Sequence, residues 1–220
     1  MTKVWVTVEG VEGVGKSHLT RKLADRLSGR CAVVAEITDQ SGASMPARVI
    51  TALYAAGDPF LRTGHPVAET LALIALKIRE HELVQRMPGQ GPAIVLEDCG
   101  IDTVAVYQAL IIAGVRAPLK EILPLMRRIY ATAAHWRPLP DLTLLVIDDL
   151  NACIGRFQAR LGRSLPQPDL ALIERASEIY AYLASREPNR FVIIDRSDGS
   201  EFEAVDGMYA ACVSRLETDA

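Results

Sequence analysis

A glycine-rich stretch near the amino terminus ends in a lysine and a serine. It reads VEGVEGVGKSHLT from Val8 to Thr20 and contains the pattern Gly10-x-x-x-x-Gly15-Lys16-Ser17. Glycines let the backbone turn its N–H groups inward around phosphate oxygens, and a helix that follows adds its positive dipole. The spacing is that of a P-loop, in which the lysine neutralises the β and γ phosphates and the hydroxyl binds Mg²⁺.

The position of this stretch favours a phosphate site over a tight turn that serves packing alone. The β-branched run Val4 to Val8 precedes it, and a helical periodicity from Ser17 to Leu27 follows it. We therefore expect these residues to bind the phosphates of ATP: Gly10, Glu12, Gly13, Val14, Gly15, Lys16, Ser17 and His18. His18 lies just inside the helix, and we expect no catalytic role for it.

Two carboxylates follow a later apolar run. Ala93 to Leu96 is succeeded by Glu97 and Asp98, which the pattern places at the carboxyl edge of a sheet, where open α/β sheets bind ligands. Asp98 is suited to hold Mg²⁺ through water or to accept the proton of an attacking oxygen. A solvated acid at a strand end is the alternative.

Composition limits the class of protein. The 220 residues are 50% apolar and 23% charged with a formal net charge of −3, so a general attraction to nucleic acid or acidic membranes is not expected. Four widely spaced cysteines without metal-site spacing indicate reduced thiols in a cytoplasm. No apolar run approaches the roughly 20 residues that cross a bilayer.

Short apolar runs alternate with longer helical periodicities along the whole chain. The runs are Val4 to Val8, Ala32 to Ala35, Ala93 to Leu96, Leu142 to Ile147 and Phe191 to Ile194. This alternation predicts an α/β fold, a P-loop three-layer sandwich with a five-stranded parallel sheet flanked by helices. We expect a single domain over residues 1–220, with a small lid at about 156–168, where GRSLPQP describes a surface loop.

Three further segments carry a resemblance to a known family. DCGIDTVAVYQ, from Asp98 to Gln108, PDLTLLV and REPNRFVIID together with the P-loop stretch resemble the thymidylate kinase family over nearly the whole chain. The resemblance implies an ATP- and Mg²⁺-dependent kinase of a nucleoside monophosphate. It also implies that Asp98 takes part in catalysis and that the substrate contacts Asp102, Tyr107 and Gln108.

The glutamate at Glu12 is similar to that of the family's bacterial branch, in which the catalytic arginine lies in the lid. This sequence offers Arg156, Arg160 and Arg163 there. Their spacing of four and three residues puts all three on one helical face if the helix continues that far. The alternative is a solvated basic face.

The acceptor half departs from the family pattern. Cys99 stands where the family has an arginine, and Ile74 and Ile78 stand where it has the phenylalanine and arginine that recognise thymine. A nucleotide with a base other than thymine therefore fits the altered site better. Replacement contacts are sought among four residues: Asp39, Arg48, Arg62 and Arg79.

Two other functions stay open from the sequence. One is a kinase of a non-nucleotide small molecule, and the other is a non-catalytic nucleotide-binding protein. The intact P-loop and the basic lid favour catalysis. The apolar run TLALIALKI, from Thr70 to Ile78, suits either a homodimer contact or a core helix.

Overall fold

Five parallel strands form the centre of the molecule. The computed structural model describes residues 3–37, 44–54, 57–87 and 92–218. The strands are β1 (Val4–Glu9), β2 (Cys31–Val34), β3 (Ile94–Asp98), β4 (Leu142–Ile147) and β5 (Phe191–Asp195). Their order is β2-β3-β1-β4-β5, and every neighbouring pair is parallel.

Eight helices in the described residues surround this sheet. They are α1 (Lys16–Leu27), α2 (Met45–Leu53), α3 (Pro66–Gln85), α4 (Ile101–Ala113), α5 (Leu119–Ala134), α6 (Leu150–Leu161), α7 (Gln167–Arg186) and α8 (Glu201–Thr218). Helix α1 packs against α8, whereas α4 packs against α3, α5 and α7.

Strand β3 shows how the two helical layers are separated. Side chains alternate along a strand, so Asp98 contacts Ser17 of α1 while its neighbour Glu97 contacts Lys77 of α3 on the opposite face. The predicted five-stranded parallel sheet flanked by helices is therefore confirmed. The sheet is covered on both faces, which explains why all six residues of β1 are buried and four of them are apolar.

The carboxyl ends of the central strands converge on one edge. Strand β1 runs into the P-loop, and β3 runs into the turn that starts α4. The register pairs Val8 with Asp98, so the end of β3 lies directly beside the start of the loop.

The segment expected to form a lid has a mixed structure. Helix α6 ends at Leu161, where Gly162 adopts a left-handed conformation with φ of 65°. Residues 162–166 then connect to α7, which begins at Gln167. Arg163 thus lies beyond the helix, and the face expected to carry three arginines carries Arg156 and Arg160 only.

None of the helices in the described part of the chain combines the length and the apolar character needed to span a membrane.

Candidate active site

At Gly13 and Gly15 the P-loop has a backbone conformation that only glycine allows. Gly13 has φ of 76°, and a Cβ there would lie 2.0 Å from the carbonyl oxygen of Cys153 in α6. Gly15, which precedes α1, has φ of 97°, and a Cβ there would lie 2.4 Å from Nη1 of Arg196. Left-handed φ and close packing together fix the loop against α6 and the end of β5.

The Lys16 side chain folds back onto the backbone of this loop. Its Nζ donates to the carbonyl oxygens of Gly10 at 2.8 Å and Val11 at 3.0 Å. Burial tends to lower the pKa of Lys16, but the acidic groups around it, Cys99 and the carboxyls of Glu12 and Glu36 foremost, outweigh burial and raise that pKa. The side chain is therefore an ammonium at every ordinary pH.

Ser17 and Asp98, predicted to share a metal, lie side by side. The Ser17 hydroxyl is hydrogen-bonded to the Asp98 carboxylate. Burial raises the pKa of Asp98, and this hydrogen bond partly opposes the rise. A hydroxyl and a carboxylate are the hard oxygen ligands that suit Mg²⁺, so the residues present fit this ion.

The described residues do not form a complete metal site by themselves. Within the described ranges, no three side chains of His, Cys, Asp or Glu come together as a metal-binding group. Mg²⁺ commonly takes one or two protein ligands and completes its shell with water and substrate phosphates. Ser17 and Asp98 match that arrangement.

Two clefts meet beside the P-loop. The first, of about 860 Å³, is the P-loop cleft, and its lining includes Gly13, Gly15, Lys16, Ser17, His18, Arg156 and Arg160. The second, of about 550 Å³, is the inner cleft, and its lining includes Phe60, Leu73, Lys77, Val104, Tyr107 and Gln108. Four residues line both: Glu12, Glu36, Cys99 and Thr103. A molecule in the inner cleft can therefore approach a phosphate held by the loop.

Glu12 and Tyr107 connect the two clefts. The Tyr107 hydroxyl donates to the Glu12 carboxylate. Burial raises the pKa of Glu12, and the nearby Lys16 lowers it. The Tyr107 ring also stacks on Phe60, at 5.9 Å between ring centroids, and Phe60 meets Phe157 of α6 edge-on at 6.1 Å. The loop that carries Phe60 thus connects the inner cleft to α6.

The three lid arginines occupy different surroundings. Nε of Arg156 donates to the carbonyl oxygen of Gly13 at 2.7 Å, and its Nη2 donates to Asp148 at 2.6 Å. Arg160 places its guanidinium 5.0 Å from the centre of the Phe157 ring and lines the P-loop cleft. Arg163 is exposed beyond the end of α6 and lines neither cleft. The structure brings two of the three to the loop.

Two further residues of the P-loop segment, Val14 and His18, differ in their exposure. Val14 is fully buried, and its carbonyl oxygen accepts a hydrogen bond from Arg196 at 2.7 Å. The His18 side chain is hydrogen-bonded to Glu201 at the start of α8. His18 therefore lines the P-loop cleft while its ring is held by a surface carboxylate.

Asp102 lies away from the clefts, contrary to its expected place at a substrate. It is fully buried, and it accepts hydrogen bonds from Tyr130 at 2.6 Å, from Thr143 at 2.9 Å and from Arg190 at 2.7 Å. The carboxylate is used to join α4 to α5, β4 and the start of β5. The other two residues expected from the same segment, Tyr107 and Gln108, do line the inner cleft.

The arginines sought as acceptor contacts are also elsewhere. Arg48 on α2 and Arg79 on α3 line neither cleft. Arg62 donates to Asp58 at 2.6 Å and to Asp169 at 2.6 Å, so its charge is engaged at the start of α7. Asp39 lies outside the described residues.

Several residues of the inner cleft were not anticipated from the sequence, among them Glu36, Phe60 and Lys77. Lys77 had a detectable signal. It falls on the same helical face as Thr70, Leu73 and Ile74, at the spacing of an apolar stripe, so a charge there has to be buried. Glu97, expected at the cleft, instead turns to the opposite face, where it pairs with Lys77 and Arg137.

Several known proteins are similar to this chain over most of its length. The chain is 34% identical over 206 residues to thymidylate kinase of Caulobacter vibrioides, covering 91% of each chain. It is 34% identical over 199 residues to thymidylate kinase of Rhodopseudomonas palustris, covering 87% of this chain and 80% of that one. The crystal structure of thymidylate kinase from Ehrlichia chaffeensis shares the fold, with a TM-score of 0.63 at 18% identity, covering 98% of this chain and all of that one. No family model matches the sequence. The two curated relatives are similar over nearly the full length of the chain, and the chain belongs to the thymidylate kinase family.

Proposed function

We propose that this protein transfers the γ-phosphoryl group of ATP to the phosphate of a nucleoside monophosphate. The observation that carries the proposal is the junction of the two clefts, whose shared lining lies next to Lys16. Family membership supplies the reaction class. A phosphate in the inner cleft and the γ-phosphate in the P-loop would meet at this junction, and phosphoryl transfer requires the two to be adjacent.

Each donor-side residue has a physical task in this proposal. The N–H groups from Gly13 to Ser17 bind phosphate oxygens, and Lys16 exchanges the carbonyl oxygens of Gly10 and Val11 for the β and γ phosphates. Arg156 and Arg160 supply positive charge as the phosphoryl group moves. Ser17 and Asp98 would hold Mg²⁺, which offsets phosphate charge when bound.

The direct test is an ADP-release assay over a panel of nucleoside monophosphates, nucleosides and sugars at saturating ATP. We expect turnover with at least one monophosphate and none with the unphosphorylated compounds. Turnover restricted to a nucleoside or a sugar would favour a kinase of non-nucleotide acceptors. Tight ATP binding without turnover on any acceptor would contradict the proposal and favour a binding protein.

We further propose a homodimer that pairs through α3. Val67, Leu71 and Leu83 are exposed apolar side chains on this helix, at 61%, 53% and 45% of their full accessibility. Large exposed apolar residues grouped on one element are typical of protein interfaces. Leu71→Glu should halve the mass measured by light scattering, whereas Ile193→Glu, at an equally exposed position on β5, should not. A monomeric wild-type protein would contradict this.

The cytoplasmic location stays a prediction from the sequence. All four cysteines, Cys31, Cys99, Cys153 and Cys212, are free thiols, as expected for a reducing compartment.

A further inference from the structure

The loop between α2 and α3 contacts the inner cleft and the helices α6 and α7. Its Phe60 is buried, lines the inner cleft and meets Phe157 of α6 edge-on, at 6.1 Å between ring centroids. Two residues further along, Arg62 donates to Asp169 in the first turn of α7 at 2.6 Å. One short loop thus joins the wall of the cleft to both helices that flank residues 162–166.

The Arg62 side chain anchors this loop. Its Nε and Nη2 donate to Asp58 at 2.6 and 3.1 Å, and Asp58 in turn accepts the N–H of Phe60 at 2.9 Å. The Arg62 guanidinium also lies 5.2 Å from the centre of the Phe60 ring, within the range of cation–π attraction. Leu61 has a left-handed φ of 59°, which costs a non-glycine residue free energy. Such a conformation persists where surrounding contacts hold it, and the ion pairs of Arg62 are contacts of this kind.

The orientation of Arg160 depends on the ring of Phe157. The Arg160 guanidinium lies 5.0 Å from the centre of that ring and lines the P-loop cleft. Within the parts of the chain that the structure describes, Arg160 has no carboxylate partner. Arg156, in contrast, is held by Asp148 and by the carbonyl oxygen of Gly13. The Phe157 ring is therefore the surface that orients the Arg160 guanidinium.

We propose that Arg62 positions the Arg160 guanidinium at the P-loop cleft, through the two phenylalanine rings that lie between them. The inference rests on the proposed function, because Arg160 acts on the phosphoryl group that this function transfers. Packed aromatic rings hold preferred mutual orientations, so a shift of Phe60 displaces Phe157 and the cation that lies over it. A misplacement of about 1 Å near a reacting group can lower the rate by about 100-fold.

The test is a double-mutant cycle on kcat, measured at saturating ATP and acceptor. Arg62→Met should lower kcat by about 10-fold and leave the KM for ATP unchanged. Arg160→Ala should lower kcat by about 100-fold, and the double variant should be no slower than Arg160→Ala alone. The reason is that the group positioned by Arg62 is then already absent. Independent effects would multiply to about 1,000-fold, and that result would overturn the inference.

The matched cycle combines Arg62→Met with Arg156→Ala. Arg156 lines the same cleft but has other partners, so here the two losses should multiply to about 1,000-fold. Equal non-additivity in both cycles would overturn the inference, because Arg62 would then act on the whole site. Arg175→Met is the control for loss of an ion-paired arginine. Arg175 is 26% exposed and pairs with Glu178 on α7, and its replacement should alter kcat by less than about twofold.

A second variant covers the case in which Arg62→Met does not fold. Asp169→Asn weakens the same ion pair from the other partner with a side chain of the same shape, and it enters the same two cycles. A crystal structure of either variant gives a readout that does not depend on activity. The rings of Phe60 and Phe157 should move, and a structure with both rings and Arg160 in place would overturn the inference. Failure of the proposed function is distinguishable, because the wild-type protein itself would then phosphorylate no monophosphate.

Discussion

Tyr107 of α4 donates its phenolic hydrogen bond to the carboxylate of Glu12 in the P-loop. The contact joins the inner cleft to the P-loop cleft across the point where the two meet. Burial raises the pKa of Tyr107 well above its usual value, so the phenol keeps its proton and remains a donor. One hydrogen bond thus holds the acceptor side and the donor side in register.

Tyr107→Phe should lower kcat more than it raises either KM. The ring and its stacking on Phe60 persist, whereas Glu12 loses the donor that fixes its carboxylate. A hydrogen bond to a charged group contributes about 1.5–3 kcal/mol, which corresponds to a fall of about 10- to 100-fold in kcat/KM. Steady-state kinetics measures kcat and both KM values, and a thermal melt measures the stability of the fold. Tyr182→Phe, on a half-buried tyrosine of α7, should change neither.

Lys16→Ala should remove most phosphoryl transfer and leave the fold intact. The ammonium bonds only to two loop carbonyls in the described residues, so the core loses no apolar contact. We expect kcat to fall by about 100-fold or more, because charge on the transferring group is no longer offset. Lys22→Ala is the matched control, since Lys22 lies on the same helix and forms an exposed ion pair with Glu201 at 3.7 Å. Activity near the wild-type rate in Lys16→Ala would place the donor site elsewhere.

The lid arginines should differ in their contribution to kcat. Arg156→Ala and Arg160→Ala remove cations that line the P-loop cleft, and each should lower kcat by about 100-fold. Arg163→Ala serves as their control, because Arg163 lies beyond the end of α6 and should alter kcat by less than about twofold. A large loss in Arg163→Ala with little loss in the other two would mean that the lid rearranges to bring Arg163 to the phosphates.

Local patterns predicted much of this molecule. The strands follow from short β-branched runs, and the P-loop follows from its own spacing between a strand and a helix, since both depend on neighbouring residues only. The end of α6 was also detectable, because Gly162 is a typical helix-terminating residue. Arg163 was expected on the helical face only if the helix continued past this glycine, and it does not.

Buried charge pairs were not predictable in the same way. Asp102 pairs with Arg190 across 88 residues, and Glu97 pairs with Arg137 across 40 residues. A charged residue on a helix usually faces solvent, so the sequence alone assigns Lys77 and Asp102 no partner. The position of Lys77 at the inner cleft depends on such a long-range pair, since Glu97 lies 20 residues further along the chain, and local patterns do not reveal it.

Glu9 is a buried carboxyl group that has no cation among its partners in the described part of the chain. It accepts a hydrogen bond from the N–H of Gly100 at 2.8 Å and another from the Thr103 hydroxyl, and the Tyr180 hydroxyl lies 3.3 Å away. Burial, reinforced by the negative charge of Asp102, raises the pKa of Glu9 to about 8. At neutral pH this group is therefore mostly protonated in the folded protein.

The direction of the resulting pH dependence follows from proton linkage. The folded pKa lies above the ordinary value of 4.5, so between those two values the folded state holds a proton that the unfolded state has released. The contribution of Glu9 to stability is complete below about pH 4.5. It is lost as the pH rises to about 8, and it does not change further above that value.

Glu9→Gln should abolish this part of the pH dependence, because the amide is neutral at every pH and matches the protonated carboxyl in shape. We expect similar free energies of unfolding for wild type and variant near pH 5, and a more stable variant by a few kcal/mol near pH 9, measured by urea unfolding. Glu69→Gln gives the opposite control. Although burial alone would raise the pKa of Glu69, hydrogen bonds from Thr63 and His65 hold it below its usual value, so its stabilisation disappears in acid rather than in base. Parallel pH profiles for wild type and Glu9→Gln would mean that Glu9 is ionised in the folded protein and paired with a cation.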